Sequence, residues 1–169
     1  IYGPSQPRMF GLMGRRPVVD KNQRIQPLEQ YGLKLMSMGF LVEEGSAVIW
    51  RGPMLFKAMD QFFRDVNWGE LDVLVIDLPP GTGDVQLSIV QKVPLAGAVT
   101  ICTPQNVALS DVKKSVDMFN RVGVKIFGMV ENMAYYRHPV TEERLEMFPR
   151  GELQSYLEKE NLKLLSSFP

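Results

Sequence analysis

The chain has 169 residues, 45% of them apolar, which suffices for about one domain with a packed core. Nineteen Lys and Arg side chains balance nineteen Asp and Glu, so no net basic charge is present to collect nucleic acid or anionic lipid. The apolar runs, such as 73–76 and 96–102, are far shorter than the roughly 20 residues that cross a bilayer. We therefore expect a soluble protein that binds neither nucleic acid nor membrane.

The first half of the chain has a less regular pattern than the second. Residues 25–28 and 33–40 have the composition of short strands, and the apolar side chains of residues 53–66 lie on one helical face. Residues 71–78 contain four consecutive apolar side chains and are bounded by Pro79-Pro80-Gly81. This run predicts a buried strand.

From residue 71 onward, strands and helices alternate. Helices are predicted over 84–92, from Leu109 to near Gly123 and over 151–161, and strands over 97–103, 124–130 and 162–168. The predicted strands that begin at residues 71, 97 and 124 start about 26 residues apart, which is the length of a strand–helix crossover. Because consecutive right-handed crossovers build a parallel sheet, we predict an α/β fold with a three-layer, doubly wound and mostly parallel sheet.

Ligands of such a sheet bind beyond the carboxyl ends of the strands. The first loop there runs from Asp77 to Asp84, with the sequence Asp-Leu-Pro-Pro-Gly-Thr-Gly-Asp. A carboxylate placed like that of Asp77 can hold a hydrated magnesium ion, and the glycines let backbone N–H groups approach a terminal phosphate. The structural alternative is a tight Pro-Pro-Gly turn, with Asp77 a surface acid and Asp84 the cap of the next helix.

Two more loops follow predicted strands. Thr103-Pro104-Gln105-Asn106 is either part of a ligand site or a polar strand exit. In Glu131-Asn132-Met133, the amide of Asn132 can donate and accept at once, which matches the edge of a purine base. The alternative, with equal weight, is that the Asn132 amide is buried and hydrogen-bonded to the backbone.

Taken in this order, the motifs resemble those of Mrp-type ATP-binding proteins, a branch of the MinD/ParA-like P-loop NTPases associated with iron–sulfur cluster carriage. The resemblance covers residues 1–133 and rests on five segments: Ile1-Tyr2-Gly3-Pro4-Ser5, Trp50-Arg51-Gly52-Pro53-Met54, Asp77 to Asp84, Thr103-Pro104-Gln105 and Glu131-Asn132-Met133.

The resemblance implies a role for each of these loops. Gly3-Pro4-Ser5 would lie in the first switch loop, and Asp77 to Asp84 would form the magnesium and γ-phosphate switch. The residues implied to contact ATP and Mg²⁺ are Asp77, which is also the implied metal ligand, Gly81, Thr82, Pro104, Gln105 and Asn132. Family members are homodimers with nucleotide bound near the interface, so a homodimer is implied here too.

The chain departs from the family in its phosphate loop. It contains no G-x-x-x-x-G-K-[ST] motif and no deviant Lys-Gly-Gly form. In the family, that loop and an acid of the first switch lie upstream of the point that matches Ile1. We therefore expect residues 1–169 to be a single partial nucleotide-binding domain that lacks the N-terminal strand and the P-loop.

The second departure concerns the iron–sulfur cluster. Many family members carry Cys-x-x-Cys shortly after the match to Asn132-Met133, whereas this chain has Tyr135-Tyr136-Arg137-His138-Pro139-Val140. The only cysteine, Cys102, lies in a predicted core strand and is expected to be a small buried side chain. His138, the only histidine, is expected in a surface loop. A cluster is therefore implied by the resemblance alone.

The resemblance implies an ATPase in the intact protein that acts in iron–sulfur cluster assembly or transfer, with client or assembly proteins as partners. No catalytic residue is assigned, and this chain alone is not expected to hydrolyse ATP. The lack of disulfides favours a reducing compartment, and we expect the cytoplasm. Two alternatives stay open, a MinD/ParA-like positioning ATPase and a non-catalytic dimeric scaffold. The first would need an amphipathic membrane helix or a basic DNA-binding face.

Overall fold

The computed structural model describes residues 1, 3–42, 52–78, 83–149 and 151–169. The chain divides into two compact units, Ile1–Pro80 and Gly81–Pro169. Among the described helices, none combines the length and apolar character that a membrane crossing requires.

The first unit consists of short elements around a small core. The core contains Leu12, Leu28 and Phe40. Its elements are α1 (Gln6–Met9), β1 (Val18–Val19), β2 (Ile25–Gln26), β3 (Leu28–Gln30), β4 (Leu33–Leu35), a 3₁₀ helix (Met38–Phe40) and α2 (Gly52–Arg64). Strand β1 pairs with β2, and β3 pairs with β4, both antiparallel. Short strands therefore occur in both predicted ranges, but the range 25–28 is divided between β2 and β3, and the range 33–40 ends in a 3₁₀ helix rather than in a strand.

Helix α2 is the predicted amphipathic helix. It buries Leu55, Met59 and Phe62, whose spacing of three and four residues places them on one face. Beyond its end, Val66 is buried and forms a parallel bridge with Ile25. The helix is thus anchored to the β1–β2 hairpin.

The strand predicted over residues 71–78 is wrong. This segment is not part of a β-ladder within the described residues, and the side chains of Val73 and Val75 are 75% and 85% exposed. An apolar run becomes a buried strand only when neighbouring strands and helices cover it, and within the described residues nothing covers these two side chains.

The second unit contains the predicted parallel sheet. Its elements are α3 (Asp84–Lys92), β5 (Ala98–Cys102), α4 (Asn106–Arg121), β6 (Ile126–Glu131), β7 (Tyr136–Arg137), β8 (Arg144–Leu145), α5 (Leu153–Lys159) and β9 (Leu164–Ser167). The sheet order is β5-β6-β9, with both pairs parallel, and β7 pairs with β8 in a separate antiparallel hairpin. The α/β class with a parallel sheet is therefore confirmed. Helix α3 begins at Asp84, but the capping residue is Gly83 rather than Asp84.

Helices α4 and α5 supply the core of this unit. Leu109 of α4 and Leu153, Tyr156 and Leu157 of α5 form one buried cluster with two sheet residues, Cys102 and Met129. The alternate residues of β5 point away from this cluster, and Val99 and Ile101 are 48% and 64% exposed. Cys102 is buried, as predicted.

Candidate functional site

The carboxyl ends of β5 and β6 lie side by side at one edge of the sheet. Cys102 and Glu131 are register partners at the ends of these strands. The Asn132 N–H donates to the Cys102 carbonyl at 2.8 Å. Thr103 and Asn132 therefore follow neighbouring parallel strands, as the sequence predicts. Asp77 was expected to end a third such strand, and that expectation fails because residues 71–78 form no strand.

The loop between β5 and α4 is held by the start of α5. Pro104 is buried and Gln105 is partly buried. Asn106 accepts a hydrogen bond from the Glu152 N–H through Oδ1, at 2.9 Å. A Cβ on Gly151 would lie 2.7 Å from the Pro104 carbonyl oxygen, so a glycine is needed for this close approach. The loop is consequently fixed before any ligand arrives.

The Oε1 atom of Gln105 is buried and has no hydrogen-bond partner among the described residues. A buried acceptor without a donor costs about 1–3 kcal/mol, and such atoms are uncommon in folded proteins. A donor supplied by a ligand would remove this cost. The exocyclic amino group of adenine is a donor of the required kind.

The Cys102 thiol lies at the end of β5, where it is buried and unreactive. Burial, together with the charge of Glu131, raises the pKa of Cys102 to about 11. Its Sγ atom lies 3.1 Å from the Thr103 carbonyl, to which the thiol donates. Cys102 therefore stays protonated at neutral pH and offers no thiolate to a metal or an electrophile.

In the first unit, Asp77 lies next to the segment that begins at Ile1. The Ile1 nitrogen donates to the Asp77 carbonyl at 2.9 Å, and the Ile1 carbonyl accepts from the Met38 N–H at 3.1 Å. Asp77 is thus a neighbour of Ile1, which lies two residues before the Gly3-Pro4-Ser5 segment that the resemblance assigns to the first switch loop.

The side chain of Asp77 is exposed, which suits a magnesium ion that keeps several of its waters. Over the stretches that the structure describes, no three His, Cys, Asp or Glu side chains group as a metal site. Magnesium commonly uses one or two carboxylates plus substrate phosphates, so a single aspartate fits it. Gly81 and Thr82, the predicted phosphate contacts, lie outside the described residues.

The segment in the place of Cys-x-x-Cys is a β-hairpin made of β7 and β8. His138 lies in its turn, where Nδ1 accepts from the N–H groups of Val140 and Thr141 at 3.3 and 3.1 Å. The guanidinium of Arg144 lies 4.5 Å from the ring centroid of Tyr135. The expected surface position of His138 is confirmed, and its imidazole closes the turn.

Sequence reasoning did not predict the contacts that three residues make in shaping these loops: Asn106, Gly151 and Ser37. Asn106 follows Pro104-Gln105 at a helix start, where a polar side chain is a recognisable capping signal, but its partner is 46 residues away. Ser37 contacts Gly3 across 34 residues, and no local pattern marks it.

The parallel sheet and its strand-end loops define an α/β protein of the P-loop NTPase type. A nucleotide-binding protein from Archaeoglobus fulgidus, solved in complex with ADP, has a similar structure, with a TM-score of 0.79 and 34% sequence identity. The similarity covers 99% of this chain and 65% of that one.

The model of the ParA family described as NUBPL iron-transfer P-loop NTPase matches residues 1–169, and the chain belongs to this family. The iron–sulfur cluster carrier protein of Aquifex aeolicus is 50% identical over the whole chain, which covers 47% of that protein. The iron–sulfur cluster transfer protein NUBPL of Mus musculus is 43% identical, again over the whole chain, which covers 53% of it. The chain thus spans about half the length of the curated relatives it matches.

Proposed function

We propose that this chain is part of an ATP-binding and ATP-hydrolysing protein that acts in iron–sulfur cluster assembly or transfer. Membership of an iron-transfer P-loop NTPase family supports the cluster role. The proposal that the site binds a nucleotide depends on the buried Oε1 of Gln105, which has no hydrogen-bond partner among the described residues and lies at the carboxyl edge of the parallel sheet. A ligand donor would satisfy that atom, and this edge is where ligands of such sheets bind.

Each proposed contact has its own chemical reason. Pro104, Gln105 and Asn132 contact the adenine, with Gln105 accepting from its amino group and Asn132 able to donate and accept. Asp77 is the magnesium ligand, and Gly81 and Thr82 contact the terminal phosphate. Magnesium, when bound, neutralises charge that develops on the phosphate oxygens during hydrolysis.

The P-loop and the cluster-binding thiolates of the proposed ATPase lie outside these 169 residues. A P-loop from another segment of the whole protein supplies the main phosphate clamp, and the protein works as a homodimer. The iron–sulfur cluster is cargo, and its thiolates come from other segments or from a partner, because Cys102 is buried and protonated. A reducing compartment, the cytoplasm, suits a chain with one cysteine. The relative from Arabidopsis thaliana, an iron–sulfur protein required for NADH dehydrogenase, is mitochondrial.

Base selectivity tests this proposal. An acceptor at Gln105 favours the amino group of adenine over the O6 carbonyl of guanine. Calorimetry on the longer protein that contains this chain and its P-loop should show ATP binding about ten-fold tighter than GTP. Gln105→Met should reduce this preference to within about two-fold. Absence of ATP binding, or an unchanged preference in Gln105→Met, would overturn the assignment.

A further inference from the structure

A buried turn lies directly behind the Gly3-Pro4-Ser5 segment. Ser37 precedes the 3₁₀ helix Met38–Phe40, and the side chains of Ser37, Met38 and Phe40 are each 2% exposed. Such complete burial in a small unit means that this turn has a fixed position. It therefore provides a rigid surface for whatever packs on it.

Hydrogen bonds attach Ile1 and Gly3 to this turn. The Ser37 hydroxyl donates to the Gly3 carbonyl at 2.8 Å and accepts from the Gly39 N–H at 3.1 Å. The Met38 N–H donates to the Ile1 carbonyl at 3.1 Å. The Ser37 side chain thus joins the backbone of Gly3 to that of Gly39.

Gly39 allows the two segments to approach closely. A Cβ at this position would lie 2.6 Å from the Gly3 carbonyl oxygen and 3.1 Å from Cα of Pro4. Both are backbone atoms, which cannot move aside as the end of a flexible side chain can. Any other residue at position 39 would push the Gly3-Pro4 segment outward.

Asp77 also contacts this segment, because its carbonyl accepts from the Ile1 nitrogen at 2.9 Å. Ile1 is therefore hydrogen-bonded both to the buried turn and to the segment that carries the proposed magnesium ligand. A shift of Gly3 away from Ser37 would alter a loop that adjoins Asp77.

We propose that Ser37 and Gly39 are positioning residues for the first switch loop, Gly3-Pro4-Ser5, and set how strongly the protein prefers ATP over ADP. This inference rests on the proposed function, because it assumes that the loop meets the γ-phosphate. Switch loops of P-loop NTPases are ordered by γ-phosphate contacts and released when that group leaves. A loop already held by Ser37 loses less conformational freedom when the triphosphate binds.

Removing the hydroxyl tests the inference. In the longer protein with its P-loop, Ser37→Ala should weaken binding of a non-hydrolysable ATP analogue about five-fold, the effect expected for one hydrogen bond, and change ADP affinity less than about two-fold. Ser110→Ala is the matched control, because that exposed hydroxyl donates to the Val107 carbonyl within its own helix, α4. It should change neither affinity.

Equal losses for both nucleotides in Ser37→Ala, or no loss for either, would overturn the inference. A wild-type protein that binds neither nucleotide would overturn the proposed function and this inference together. If Ser37→Ala does not fold, amide hydrogen exchange in the wild-type protein tests the positioning role instead. The Met38 amide, which bonds to Ile1, should exchange at least about ten-fold more slowly with the triphosphate than with ADP. Equal exchange rates would contradict the positioning role.

Discussion

Asn106 and Glu152 are 46 residues apart in sequence, yet the Oδ1 atom of Asn106 accepts the Glu152 N–H at 2.9 Å. Asn106 begins α4, and Glu152 immediately precedes α5. The bond therefore ties the loop after β5 to the start of the helix that covers Cys102 and Met129. One polar contact thus links the proposed adenine loop to the core of the second unit.

Removing this contact should reduce stability. We expect Asn106→Ala to lower the free energy of unfolding by about 1 kcal/mol, because the Glu152 N–H at the start of α5 loses its side-chain acceptor. Urea denaturation followed by circular dichroism measures the change. Asn120→Ala, on the exposed face of the same helix, is the control and should be neutral or slightly stabilising. Equal midpoints for the two variants would show that the bond contributes nothing.

The Cys102 thiol should react slowly in the folded protein. A pKa of about 11, against an ordinary 9.0, lowers the thiolate fraction at neutral pH about a hundred-fold, and burial restricts access further. Iodoacetamide labelling followed by mass spectrometry measures the rate, which should continue to rise as the pH approaches 11. The same chain in guanidinium chloride is the control. Labelling at the unfolded rate under native conditions would contradict the burial of Cys102.

Local signals predicted the second unit well. Helix α3 spans the predicted residues 84–92, because Gly83 precedes it and Pro94 follows it closely. In α4, which includes most of the helix predicted from Leu109 to near Gly123, Leu109, Val116 and Phe119 are spaced so that they lie on one buried face. These elements are specified by residues within a few positions of one another.

Long-range context explains what the sequence did not predict. The run 71–78 looked like a buried strand, but burial depends on which segments cover it. The β3–β4 turn uses positive φ at Tyr31 and Gly32, and a tyrosine there gives no turn signal. The burial of the Gln105 acceptor, away from any donor among the described residues, and the Ser37 contact with Gly3 arise only from tertiary packing.

The Gln105 side chain should show opposite effects on stability and binding. Gln105→Met removes a buried acceptor that has no hydrogen-bond partner in the described part of the chain, so we expect the ligand-free protein to be unchanged or up to about 1 kcal/mol more stable. The same substitution should weaken ATP binding about five- to ten-fold. Thermal unfolding with and without ATP measures both effects in one protein. A variant that is destabilised without ATP would show that Gln105 serves the fold.

The isolated chain should not retain an iron–sulfur cluster. One buried cysteine per chain cannot supply the thiolates that such a cluster ordinarily requires, even in a symmetric dimer. Anaerobic reconstitution with iron and sulfide, followed by desalting, gives the iron content and the visible spectrum. Stoichiometric iron with a charge-transfer band that disappears in Cys102→Ser would contradict this prediction.

The central claim is that Asp77 holds the magnesium ion needed for ATP hydrolysis. Phosphate release from ATP, measured on the longer protein with and without magnesium, tests it most directly. Asp77→Asn should lower the magnesium-dependent rate by about a hundred-fold or more, because it removes the proposed metal ligand. Asp72→Asn, an exposed aspartate of the same segment, is the control and should retain the wild-type rate. Circular dichroism should be unchanged in both, since neither side chain is buried. If Asp77→Asn turns over ATP as fast as Asp72→Asn, Asp77 is not the magnesium ligand and the proposed site is wrong.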